Sequence, residues 1–160
     1  MRVVVAALAF MLALPGVAVA ADYRIVHRDD KTVAVVDFSA IKADSNAIKH
    51  IHVYTGLFEP KTNPNGQLFR YADWTYGVDC SNGNFRVEGL TVYGPDFKVL
   101  DSYRMEQMHT EQSWGPLKPG QSIGLKSEEI CGTLPGSMAA VGHSWRDALD
   151  FVINRAPPSP

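Results

Sequence analysis

Between residues 22 and 108, short runs of β-branched and aromatic residues alternate with turn clusters, and no helical periodicity runs long enough to bridge two parallel strands. Parallel strands need a crossover of a dozen or more residues, so the pattern predicts an antiparallel meander. Residues 23–27 and 32–38 form a hairpin around the polar turn Arg28-Asp29-Asp30-Lys31. The polar stretch 39–46 begins with a turn of helix at Ala40-Ile41-Lys42, and 47–58 reads as a longer strand ending before the turn Asn63-Pro64-Asn65-Gly66. In the strand 67–80, alternation places Trp74, Tyr76, Val78 and Cys80 on one face and Tyr71, Asp73, Thr75 and Asp79 on the other. Asn82-Gly83 suits a two-residue hairpin in which both residues take positive φ, leading into a strand over 85–93. Gly94-Pro95-Asp96 makes the next turn, and 98–108 supplies the sixth strand.

The texture changes after Thr110. The loop Trp114-Gly115-Pro116-Leu117-Lys118-Pro119-Gly120 precedes a short helix within 122–131 that carries the second cysteine. A further helix is expected over 145–154, because Trp145, Ala148, Leu149 and Val152 recur at i, i+3, i+4 and i+7, with Ser144 and Asp147 placed as a capping box. Its apolar stripe should dock on the sheet. Residues 156–160, with three prolines in five positions, read as a disordered tail. The fold class is therefore α+β: a six-stranded antiparallel sheet with short C-terminal helices packed on one face.

The first twenty residues read as a cleavable signal peptide. Arg2 precedes an apolar run over 3–14, Pro15-Gly16 breaks it, and Ala18-Val19-Ala20 fits the small-residue cleavage rule. A membrane anchor would need about 20 unbroken apolar residues, and a lipoprotein would need cysteine where Ala21 stands. Cleavage leaves one domain over 21–155, with no transmembrane segment and enough chain for one hydrophobic core. The mature chain carries 14 Lys+Arg against 17 Asp+Glu, and the only basic cluster, Arg28-Asp29-Asp30-Lys31, neutralises itself, so nucleic acid is not an expected partner.

Two cysteines in an exported chain allow one pairing, Cys80 with Cys131, in an oxidising compartment. They lie 51 positions apart, which rules out a C-x-x-C redox pair and leaves a structural bond. The chain-entropy model gives about 4 kcal/mol for closing such a loop, a large share of the roughly 5–15 kcal/mol that holds a domain together.

Candidate chemistry is sparse. His50 and His52 share one face of a strand, a spacing that can chelate Zn²⁺ or Cu²⁺. No third ligand follows at a convincing spacing, so we read them as a solvated strand face and assign no metal and no cofactor. Gly142-His143-Ser144-Trp145-Arg146 partly matches the G-x-S-x-G nucleophile elbow, but Arg146 stands where the closing glycine belongs and no parallel strand precedes it. Ser144 is read as a helix cap. Asp73 and Asp79 lie about 20 Å apart along an extended strand, too far for a glycosidase pair. Trp74, Tyr76 and Tyr103 are the ligand-binding candidates, since tryptophan and tyrosine dominate binding hot spots; the competing reading puts Trp74 and Tyr76 in the core beneath the helices.

The strand motif W-T-Y-G-V-D-C (74–80), the loop S-W-G-P-L-K-P-G-Q (113–121), the ending S-E-E-I-C-G (127–132) and V-V-D-F-S-A-I (35–41) resemble the surface-adhesin protein E family of bacteria. The resemblance covers 22–132 and leaves 133–155 as a C-terminal extension. It implies a six-stranded antiparallel sheet carrying a cysteine whose partner lies on a helix held against that sheet. It also implies a non-enzymatic role, protein binding in the periplasm or at the cell surface, with host or envelope proteins as partners. The other reading is a small exported metal- or ligand-binding domain using His50 and His52, and a hydrolase ranks last.

Overall fold

The computed structural model describes residues 21–44, 47–104, 114–116, 130–132 and 142–155. The expected signal peptide, the tail 156–160, most of the helix expected over 122–131 and the end of the strand expected over 98–108 lie outside the described residues.

Seven strands form one antiparallel sheet: β1 (Tyr23–Arg28), β2 (Thr32–Asp37), β3 (Lys42–Ala43), β4 (Ile48–Thr62), β5 (Leu68–Asp79), β6 (Asn84–Tyr93) and β7 (Val99–Arg104). The order across the sheet is β1-β2-β4-β5-β6-β7, with the short β3 paired to the start of β4. The sequence predicts six strands. The seventh arises where a helical turn was expected: that turn falls earlier, at Phe38–Ala40, where the Asp37 carboxylate caps the Ser39 N–H, and the chain is extended again by Lys42.

β2 carries the central strand's signature. Val33, Ala34, Val35 and Val36 are all fully buried, which requires cover on both faces of the sheet. On one face Ala34, Val36, Ile51, Val53, Tyr76, Val78 and Phe85 pack with Ile130 and the Cys80–Cys131 bond. On the other, Val33, Val35 and Tyr71 pack against the helix α1 (Trp145–Asp150), which widens into a π-helical turn over Phe151–Arg155. The antiparallel sheet, the C-terminal helix and the disulfide match expectation, but the cover is split: the cysteine segment and α1 lie on opposite faces. We call these the disulfide face and the helix face.

α1 forms as its sequence predicts. The Ser144 hydroxyl accepts the Asp147 N–H at 3.1 Å and donates to the Asp147 carboxylate at 2.7 Å. Ala148, Leu149 and Val152 are buried beneath it, and burying a leucine or valine contributes roughly 1.5–3 kcal/mol each. Gly56 of β4 lets the helix come close: a Cβ there would stand 2.6 Å from Ile153 Cδ1.

The hairpin between β5 and β6 differs from expectation. Asp79 pairs with Asn84 across a four-residue loop, and Gly83, at φ 65°, is its residue of positive φ. The Asp79 carboxylate accepts the Ser81 N–H and the Asn82 side-chain amide, which holds the wider loop and sets Cys80 within it.

Candidate functional site

The register brings the sequence candidates into two groups, one on each face. On the disulfide face Val36, Val53, Trp74, Leu90 and Tyr103 are successive cross-strand partners. Tyr76 is 4 % exposed and Trp74 half-buried, with ring centroids 6.5 Å apart, and both pack against the cluster containing Cys80, Cys131 and Ile130. Burial pushes the Tyr76 phenol up to about 12. Tyr76 belongs to the buried cluster, and Trp74 packs against it from its partly exposed side. Tyr103, at the edge of the sheet on β7, is exposed, and its hydroxyl donates to the Asp101 carboxylate, which raises the phenol's pKa.

The disulfide closes as expected, with the two Cα atoms 5.5 Å apart. Nearby, the Lys49 ammonium donates to the Ile130 carbonyl at 2.8 Å, so the start of β4 also holds the cysteine segment.

On the helix face His50 and His52 do share a side of β4, but each is engaged by a carboxylate from another strand. His52 Nδ1 donates to Asp73 of β5 at 2.9 and 3.1 Å. His50 Nδ1 donates to Glu88 of β6 at 2.8 Å, and its Nε2 lies 3.7 Å from the Asp44 carboxylate. The hydrogen bond to Asp73 raises the His52 pKa against the opposing pull of burial. Burial pushes the Glu88 carboxyl up, but hydrogen bonds from Arg86 and His50 outweigh it and hold the group below its ordinary range. Among the described residues no group of three or more His, Cys, Asp or Glu side chains is placed to hold a metal ion.

Asp73 also sits among aromatic rings. Its charge helps raise the phenols of Tyr54 and Tyr93, in each case after burial, the larger cause. Tyr54 stacks on His52 on one side and on Trp145 on the other, at 5.9 and 5.1 Å. Trp145 is the hub of this end of the face, meeting Tyr54, Tyr71, Tyr93 and Phe97 within 6.5 Å, with the Arg146 guanidinium over its ring. At the other end Arg86 lies over Trp114 at 4.5 Å.

A third feature is the bulge in β4 and the arginine that braces it. Between the pairs Gly56–Tyr71 and Lys61–Phe69, residues 57–60 of β4 stand opposite Arg70 alone. Such a bulge takes carbonyls out of the ladder, and the Arg70 guanidinium replaces the missing donors at Leu57 (3.1 Å) and Phe58 (3.2 Å) while reaching Asn154 beyond α1. Past this pin the β4–β5 hairpin continues as a ribbon whose residues 59–62 and 64–68 are exposed. The Asn63 carboxamide oxygen accepts the Asn65 and Gln67 N–H groups and fixes its tip. Proline, asparagine and glycine announce the turn, but nothing in the sequence marks Arg70 as its anchor.

Compared with known proteins, the chain matches no family model, no curated protein and no solved structure. No helix among the described residues is long and apolar enough to cross a membrane.

Proposed function

We propose that this chain is an exported, non-enzymatic binding protein that works through protein–protein contact in the periplasm or at the cell surface, in the manner of the surface-adhesin E proteins it resembles. The observation that carries the reading is the fate of Trp74 and Tyr76. A small-molecule site would need these rings to line a cleft, whereas they are packed around the disulfide. Among the described residues the longest exposed stretch is the hairpin ribbon over 59–62 and 64–68, braced by Arg70, and this suits contact with another macromolecule. A disulfide also fits a chain that leaves the reducing cytosol behind an N-terminal leader. Ser144, the one serine in an elbow-like context, is occupied as a helix cap.

The test is capture. Mature protein immobilised through its C-terminus is exposed to pools of envelope, matrix and serum proteins, beside a variant in which residues 61–67 are replaced by a short Gly-Ser turn. The reading expects a partner retained by the wild type and weakened by the replacement, with the fold of both verified by circular dichroism. Wild-type beads that retain nothing above blank beads sink it.

A further inference from the structure

Three carboxylates and two imidazoles converge on the open part of the helix face. Asp44 comes from the β3–β4 corner, His50 and His52 from β4, Asp73 from β5 and Glu88 from β6. Arg86, on the same strand as Glu88, donates to it at 2.7 Å. The contact between His50 and Glu88 spans β5, because His50 pairs with Gly77, and Gly77 pairs with Arg86. Gly77 makes this crossing possible: a Cβ there would stand 2.6 Å from Glu88 Oε1 and 3.2 Å from the Trp114 ring. Asp44, Asp73 and Glu88 bring three negative charges to this group, against the two positive charges of Arg86 and of Lys42, which pairs opposite His50. His50 presents each ring nitrogen to a carboxylate, Nδ1 to Glu88 at 2.8 Å and Nε2 to Asp44 at 3.7 Å.

We propose that the contact of His52 with Asp73 is an acid-strengthened clasp, which fastens β5 to β4 when the His52 ring is charged and loosens as it loses its proton, while the contacts of His50 with Asp44 and Glu88 brace the β3–β4 corner and β6 beside it. The clasp touches both covers of the sheet. Lys49, between the two histidines' strand positions and the corner, holds the Ile130 carbonyl beside the disulfide, and His52 stacks on Tyr54, which in turn stacks on Trp145 of α1. The groups facing the two rings are Asp44, Asp73, Glu88 and Arg86, with Lys42 of β3 paired opposite His50, Tyr54 against His52 and the exposed Arg104 at the end of the row His52, Thr75, Gly89. The sign follows from His52, whose pKa is raised in the folded state. Stability from such a group is fully present below its unfolded pKa, near 6.5, and is lost as pH rises through the higher folded value.

The experiment compares urea unfolding of the full mature protein and of His52→Gln at pH 5.5 and pH 8. Glutamine keeps a neutral N–H donor and cannot take the charge. In the wild type the unfolding constant should fall by about 1.4-fold to fivefold more between pH 8 and pH 5.5 than in the variant, the range for an exposed pair. Equal pH dependence in the two proteins overturns the proposal. If the variant does not fold, proton NMR of the wild type decides: the His52 ring should titrate at higher pH in the folded than in the urea-unfolded protein, and a midpoint at or below the unfolded one overturns it. Gly77→Ala, which closes the passage under Glu88, should displace Glu88 from His50 and leave the His52 titration in place.

Discussion

Replacing Gly56 by alanine probes how closely the helix rides on the sheet. Gly56 lies between Val33 of β2 and Tyr71 of β5, and an added Cβ would meet Ile153 Cδ1 at 2.6 Å, Tyr71 Cδ1 at 3.3 Å and Leu149 Cδ2 at 3.4 Å. Carbon atoms rest at about 3.5–4.0 Å, so the Ile153 methyl must move by about 1 Å. Overpacking of this kind costs about 1–3 kcal/mol. Because the closest atom is the end of a flexible side chain, the lower part of that range applies. The removed glycine entropy returns about 0.5–1 kcal/mol, leaving a net loss near 1 kcal/mol. Ile153→Val deletes the clashing methyl and by itself costs about 0.5–1.5 kcal/mol. The double variant should therefore be more stable than the sum of the singles by on the order of 1 kcal/mol. Urea unfolding monitored by tryptophan emission reads this as a midpoint about 0.5 M below wild type for Gly56→Ala, with unchanged slope. A Gly56→Ala protein more stable than wild type, or two single costs that simply add, would refute the close-approach argument.

Opening the Cys80–Cys131 loop with a Cys80→Ala/Cys131→Ala pair should cost about 4 kcal/mol, read as a urea midpoint lower by roughly 2 M; a shift under half of that would mean the bond adds little to what packing already secures. Arg70→Gln leaves at least one of the Leu57 and Phe58 carbonyls without its donor, and amide exchange should quicken over residues 58–62 while β2 stays protected; uniform exchange across the sheet would count against a local pin. Ser144→Ala should cost about 1 kcal/mol through the lost cap and leave any binding activity unchanged, checked by thermal unfolding beside the capture assay.

Much of the fold could be read from local signals. Alternation in β5 sorted Trp74, Tyr76 and Val78 from Tyr71 and Asp73 correctly, and the 3.6-residue stripe with its Ser144 cap located α1. The split cover was also legible in principle, since Val33-Ala34-Val35-Val36 lacks the alternation of a strand with one wet face. Side-chain pairings such as His52 with Asp73, His50 with Glu88 over Gly77, and Arg70 with its two carbonyls depend on register. Register is set by bulges, at Thr75/Tyr76 and between Gly56 and Lys61, which no local residue preference announces. The strand count missed β3 for a similar reason: two residues paired through tertiary context carry no pattern of their own.

Arg70 has one more consequence. Because the ribbon beyond it is tethered at its base and makes its own turn at Asn63–Gln67, the protein can be treated as a carrier. Foreign peptide spliced in at Asn65 would be displayed outward with both ends clamped, while the two-sided sheet beneath folds as before.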